Sequence, residues 1–483
     1  MEKSLKKEII NYSLIAISVF LMFGIRLFDF GTALPKDAFA VLGVFLGSLI
    51  LWLFVGIDWT SVLSILALAT IKTLGYKSVL SSAFGNDTFT FLLFTFVLTY
   101  ALSKTPIIKR VAVAFVSNKF ARKNGWLFVT MLLFGILVIG CFVSPSVLFI
   151  VLLPLIEEII KLANIEKGEK TGAMLMIGFA FVVSISSGMT PIAHVFPAIA
   201  MSNYAQAVGQ NIGYLSYMLV AIPVGLLAFA ALMLFFRFIM RPDVKKLENI
   251  DITPLKQGLP KITKAEIITL TTFISVILIW ILPSLIKNLL PDFSTFLSNL
   301  GLTLPALLGV VVLCVIKVNK KPLLEINDAF KNGVPWPSLI MCSATLAVGA
   351  ALTNDGIGLI SFLTTNLAPK LSGLPVIALV AIFIIWATLQ TNVSSNIVTS
   401  TVVSNVAIIV LIANPSINLA ALVVLIGMLS AYAFATPPSM PHIALTTSSP
   451  YTNTSQVFKY GSLLSVASIV ISILAYYFAL LIF

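Results

Sequence analysis

Two short segments of this sequence set hydroxyl groups at a break in an apolar run: Ser144-Pro145-Ser146 and Ser394-Ser395-Asn396. Two more place Thr before Pro inside runs that otherwise read as helix, Thr190-Pro191 and Thr436-Pro437-Pro438. A broken helix leaves N–H groups without an intrahelical partner, and its N-terminus carries a partial positive charge. Such ends, with hydroxyls beside them, suit an anion. The acidic residues that a cation or sugar carrier would use are missing there, because residues 171–236 and 371–458 contain no Asp, Glu, Lys or Arg. The chain's two histidines, His194 and His442, each follow a Thr-Pro break. They are expected either to meet a carboxylate and supply local positive charge, or to be neutral and hydrogen-bonded within the loops. Gln390, Thr391 and Asn392 are further candidate lining groups.

The elements that must position these residues belong to a chain built for lipid. Of 483 residues, 59% are hydrophobic and 10% charged, against about a quarter charged in soluble proteins. Apolar runs of about 20 residues, enough to cross roughly 30 Å of hydrocarbon, recur from end to end and leave no room for a large soluble domain. A net charge of +12 would suit nucleic acid. Here, however, the basic residues sit in short loops between apolar runs, the distribution of a membrane protein, so the expected surroundings are membrane lipid and no nucleic acid. Cys141, Cys314 and Cys342 lie in or beside apolar stretches without metal-ligand spacing and read as small core residues. No cofactor is expected. The run at 9–28 lacks the short core and cleavage site of a signal peptide and reads as the first span.

The expected architecture is an all-α polytopic membrane protein with about 11 transmembrane helices plus two re-entrant hairpins. Spans are expected over 9–28, 38–57, 60–73, 88–103, 212–236, 265–286, 302–316 and 461–482, with broken helices over 338–365 and starting near 171 and 417. The runs 126–160 and 375–413, interrupted at their Ser-rich tips, are expected to turn back. With the N-terminus inside and both runs re-entrant, 24 Lys and Arg fall inside and 6 outside. Making 126–160 a full span erases that bias. The charge rule therefore predicts a multi-pass protein of the plasma (cytoplasmic) membrane, N-terminus cytoplasmic and C-terminus outside. The tips then enter from opposite faces, so the halves form an inverted repeat, a recurrent plan of secondary transporters. The expected units are scaffold helices in 1–103, a first transport repeat in 104–210, mostly scaffold in 211–370, a second transport repeat in 371–460, and a last helix in 461–483.

At these residues the chain resembles the divalent anion/sodium symporter family, which includes dicarboxylate and citrate carriers. That family has a Ser-Asn-Thr motif at each hairpin tip and a Thr-Pro-rich break in the helix that follows. Ala435-Thr436-Pro437-Pro438 matches the second break, and Ser395-Asn396-Ile397 matches the second tip in two of three positions. Ser186-Ser187-Gly188-Met189-Thr190-Pro191 resembles the first break, and Ser144-Pro145-Ser146 stands at the first tip. The likeness covers nearly the whole chain. It implies a homodimer whose transport domains slide across the membrane as elevators, and a binding site made of both tips and both breaks. In the family's sodium-coupled branch each tip and its facing break hold one sodium; the matching residues here are Thr391, Ser395, Asn396 and Ala435.

Two departures shape the functional expectation. Pro145 stands where the family has Asn, and Ile397 where it has Thr, which removes oxygens that a hard cation needs. The first tip is also similar to the family's exchanger branch. The expected activity is sodium-independent exchange of C4 or C5 dicarboxylates such as succinate, malate, fumarate or 2-oxoglutarate. If helix ends and the histidines make the site positive, moving it empty through a low-dielectric slab is costly, and a dianion removes that cost. The alternative is a sodium-coupled dicarboxylate symporter. An intramembrane hydrolase is a remote third, lacking an acidic orienter and a Gly-x-Ser-x-Gly elbow.

Overall fold

The computed structural model describes residues 2–28, 34–118, 123–192, 194–248, 250–366, 369 and 373–483. Of the basic residues behind the expected orientation, Lys119, Arg122 and Lys370 lie outside that set. The described chain is helical apart from a two-stranded turn pairing Lys317–Val318 with Lys321–Pro322. In order, the helices of the first half are α1 (Glu2–Val19), α2 (Lys36–Phe54), α3 (Trp59–Ala69), α4 (Tyr76–Phe84), α5 (Asp87–Ser103), α6 (Ile107–Val116), α7 (Gly125–Gly140), α8 (Pro145–Leu162), α9 (Lys170–Met189), α10 (Val195–Val208) and α11 (Tyr214–Phe235). The second half has α12 (Thr253–Gln257), α13 (Lys264–Ile286), α14 (Pro291–Asn299), α15 (Thr303–Val315), α16 (Ile326–Asn332), α17 (Trp336–Leu352) and α18 (Leu359–Asn366). It closes with α19 (Val376–Val393), α20 (Asn396–Leu411), α21 (Leu419–Leu429), α22 (Pro441–Thr447) and α23 (Thr454–Ala479).

Among the described residues, seven helices are long and apolar enough to cross a membrane, and three pairs bent by 64°, 73° and 77° raise this to ten if each pair is one span. The run expected over 60–73 departs most from its expectation. Its helix α3 ends at Ala69, rising only about 16 Å, and the chain re-enters helix after Gly75, whose φ of 71° favours glycine. The basic stretch after 103 is not simply loop, since α6 lies within it. Arg110 of α6 makes a two-pronged ion pair with Glu266 of α13, 2.6 Å from Nε to Oε1 and 3.2 Å from Nη2 to Oε2.

Around the candidate site the burial is deepest. Every residue of α9 from Thr171 to Met189 is buried, as is every residue of α21 from Ala420 onward. Outer helices instead show apolar side chains on their surface, among them Leu474 of α23 and Leu278 of α13. Long helices with apolar side chains along their outer faces are what a membrane protein presents to lipid.

Candidate functional site

Local sequence contributes to the two Thr-Pro interruptions. A residue before Pro is pushed out of the α region, and both Thr-Pro pairs obey. Thr190 ends α9 at φ −137°, ψ 150°, and Thr436 sits in the second break at φ −125°, ψ 144°. The tips share one geometry too. Ser144 precedes α8 at φ −58°, ψ 142°, and Ser395 precedes α20 at φ −63°, ψ 131°. Ser144 therefore corresponds to Ser395, Pro145 to Asn396 and Ser146 to Ile397.

Each tip is tied to the break in its own half. Thr190 Oγ1 donates to the carbonyl of Cys141, just before the first tip, and Thr436 Oγ1 donates to that of Asn392, just before the second. The second link is reinforced. Asn392 Oδ1 accepts the backbone N–H groups of Phe434 and Ala435, both at 2.8 Å, while its Nδ2 donates to Thr388 O and Tyr432 O. Thr391 Oγ1 donates to Ser430 O at 2.6 Å. One amide thus satisfies the backbone groups that unwinding set free, as burial requires.

The halves also cross-link. Ser400 of α20 donates to Phe196 O at the start of α10, at 2.7 Å. Phe149 of α8 packs on the His442 ring at the start of α22, with centroids 5.8 Å apart. Tyr217 donates to Gly188 O at 2.8 Å, and a Cβ on Gly188 would lie 2.7 Å from Met428 O, so only glycine lets α9 and α21 meet there. These contacts link each tip to its break and one half to the other.

None of the helices α8, α10, α20 and α22 has a side-chain cap at its N-terminus. Several helices elsewhere share this feature, among them α2, α11, α17 and α19, while Asn86, Asn124, Asn418 and Asn453 each accept a backbone N–H of the helix they precede. An uncapped helix start suits an anion, with one N–H fewer in α8 and α22, which begin with a proline.

The expected site residues separate into groups. Ser144, Pro145, Ser395, Thr436 and Pro437 are half-buried, Ser146 is exposed, and Thr190 and Pro191 are buried. Pro438 lies in the turn Pro437–Ser439, and its side chain is outside the described residues. Ser394 closes α19, its Oγ donating to Gln390 O at 3.0 Å, so its hydroxyl is engaged in ending that helix. Asn396 is only 3% exposed, and neither its Oδ1 nor its Nδ2 has a hydrogen-bond partner.

Both histidines are held by hydrogen bonds within the protein, the second of the two readings of them. His194 and His442 are each 1% exposed. His194 Nε2 donates to Gly140 O at 2.9 Å. Ser184 Oγ donates to Ala433 O, so at 2.8 Å it accepts from His442 Nε2. Both Nδ1 atoms lack partners. Each ring braces a break through its Nε2. Ser184, wholly buried, is part of the same brace.

Sequence reasoning missed Ser184, and it ranked Asn392 below the tip residues. No local signal separates a helical Asn that clamps a distant strand of backbone from one that faces a neighbouring helix. None of the expected site residues lines a cavity of about 620 Å³ that runs beside α5, α10 and α13.

With this geometry in hand, the comparisons are informative. The family model described as the sodium:sulfate symporter transmembrane region matches residues 7–483. The sodium-dependent dicarboxylate transporter SdcS of Staphylococcus saprophyticus is 24% identical over 460 residues, covering 90% of this chain and 86% of that protein. SdcS of Staphylococcus aureus is 26% identical over 385 residues, covering 76% and 71%. In structure, the Alcanivorax borkumensis YdaH transporter superposes with a TM-score of 0.59 at 13% identity, covering 92% of this chain and 98% of that one. Neisseria gonorrhoeae MtrF does so with 0.55 at 13% identity, covering 86% and 84%. The fold is that of membrane transporters.

Proposed function

Because the chain belongs to the sodium:sulfate symporter family, we propose that it is a sodium-coupled secondary transporter of C4 or C5 dicarboxylates, with both tips and both breaks as its binding site. The observation that carries this reading is Asn396, a buried amide with neither end paired, at the uncapped start of α20. Its oxygen is a ligand for a hard cation and its N–H₂ a donor to a carboxylate. The four uncapped helix ends supply further N–H donors for a dianion.

The expected sodium-independent exchange gives way to this alternative for two reasons. The matching relatives are named as sodium-dependent dicarboxylate transporters. Exchange also leaned in part on positive charge from the histidines, whose rings are buried and hydrogen-bonded within the protein. Pro145 still removes an amide from the first tip, so the cation-binding chemistry is concentrated at the second.

The reading extends to an elevator motion in a homodimer, in which the hairpins and broken helices move past a scaffold containing α17. It also places the N-terminus in the cytoplasm, from the loop charges. The test is uptake of labelled succinate into proteoliposomes with sodium, potassium or choline outside. Uptake that requires sodium is the expected result. Equal uptake in choline, together with counterflow driven by internal succinate alone, would restore the exchanger.

A further inference from the structure

Away from the tips, three amides converge on a single point. Asn203 and Gln206 lie on α10, Asn405 on α20, and all face Gly349 of α17. A Cβ placed on Gly349 would lie 3.0 Å from Asn203 Oδ1, 3.1 Å from Gln206 Oε1 and 3.3 Å from Asn405 Oδ1. Any other residue would fill that point; glycine keeps it open. Asn203 and Asn405 are each 1% exposed. Yet Asn203 Oδ1, both polar atoms of Gln206, and Asn405 Nδ2 have no hydrogen-bond partner. Asn203 is oriented by its Nδ2, which donates to Ser404 Oγ at 2.8 Å, so its oxygen is the atom turned to Gly349. Buried polar groups ordinarily find partners, and the negative ends of three dipoles facing one point repel unless positive charge lies between them.

The surroundings say which ligand. Gln206 and Ser202 also line the cavity of about 620 Å³, whose lining contains one charged residue, Asp87. A lone carboxylate draws cations toward such a cavity and disfavours dianions. None of the three converging side chains is charged. Neutral oxygens without a carboxylate suit a hard monovalent ion better than a divalent one, which is held through carboxylates.

We propose that Asn203, Gln206 and Asn405, closed over by Gly349, form a monovalent cation site, separate from the tips and fed from the cavity beside Asp87. This rests on the sodium-coupled reading for its role in the transport cycle, where the ion is sodium. The site spans helices of the proposed moving part, α10 and α20, and a helix of the proposed scaffold, α17. Thr345 of α17 and Thr401 of α20 meet at 3.0 Å across the same seam. A cation bound there fastens one part to the other and so couples its own binding to the motion.

The experiment measures thermal unfolding of the purified full chain in detergent, without dicarboxylate, in sodium, potassium or choline chloride. The variants are Gln206→Met, Gly349→Ala and Asn396→Ala. The sodium dependence of succinate uptake is read alongside. Sodium is expected to raise the wild-type unfolding temperature over choline. Gln206→Met and Gly349→Ala should lose that part of the shift which Asn396→Ala keeps, and Gln206→Met should make uptake less steeply dependent on sodium. A wild-type shift that survives intact in Gln206→Met, or no wild-type shift at all, overturns the site whatever uptake shows. Conversely, a shift lost in Gln206→Met while wild-type uptake ignores sodium upholds the site and removes the coupled reading. Gln206→Met keeps the volume of the side chain, so it stands in if Gly349→Ala fails to fold.

Discussion

Asn392 Oδ1 lies 2.8 Å from the backbone nitrogen of Ala435 and holds the second break against its tip. The same oxygen accepts from Phe434, so one side chain satisfies two buried donors. In the first half the corresponding position is Cys141, and there, among the described residues, Thr190 and His194 make the link. The repeat is thus symmetric in its threonines and asymmetric in its amides.

Replacing Asn392 by Ala leaves two buried N–H groups unpaired. Each such loss costs about 1–3 kcal/mol. Asn392→Ala is expected to unfold at clearly lower temperature and to transport little. Melting in detergent and uptake in liposomes measure both, and a variant as stable as wild type would refute the clamp.

Asn396 should behave in the opposite way. Its amide is buried without a partner, so removing it relieves desolvation, and Asn396→Ala should be as stable as wild type or more stable by about 1 kcal/mol. Transport should nevertheless be lost. Ser394→Ala loses only a helix-end bond, worth about 1 kcal/mol, and should keep transport. Unimpaired uptake by Asn396→Ala would remove it from the site.

Because both histidines are engaged within the protein through Nε2, their loss should not change how transport responds to pH. His442→Gln and His194→Gln are expected to lower stability by about 1–2 kcal/mol through the lost bonds. Their uptake profiles between pH 5.5 and 8 should superimpose on that of wild type after scaling. A flattened profile in either variant would show that a ring titrates in the transport cycle.

The ion pair between Arg110 and Glu266 joins α6 to α13, with Glu266 3% exposed. Glu266→Ala strands a charged partner, and breaking a buried pair in this way costs about 3–5 kcal/mol. Arg110 is partly exposed, which lowers the expected loss to about 1–3 kcal/mol. Thermal melts of Glu266→Ala and of the double variant with Arg110→Ala test this, since the second change should cost little once the first is made.

Much of this organisation was legible beforehand for a simple reason. Proline acts locally, so Thr190-Pro191 and Thr436-Pro437 announce their breaks to any reader of the chain. Hydropathy acts over a window, so the helices on either side are equally plain. The histidines were harder. Their matching positions were visible, but whether a ring faces a ligand or a carbonyl depends on Gly140 and Ser184, far away in sequence.

Sequence alone determined that this chain is a membrane-embedded bundle whose helices break at Ser-rich tips and Thr-Pro pairs, because propensity and hydrophobic length are properties of neighbouring residues. Only the tertiary structure decided how polar groups are shared out. It engaged Ser394, His194 and His442 within the protein, left Asn396 unpaired, and set Asn203, Gln206 and Asn405 around Gly349. Hydrogen bonds and close approaches between distant segments fix those roles, and no local pattern encodes them.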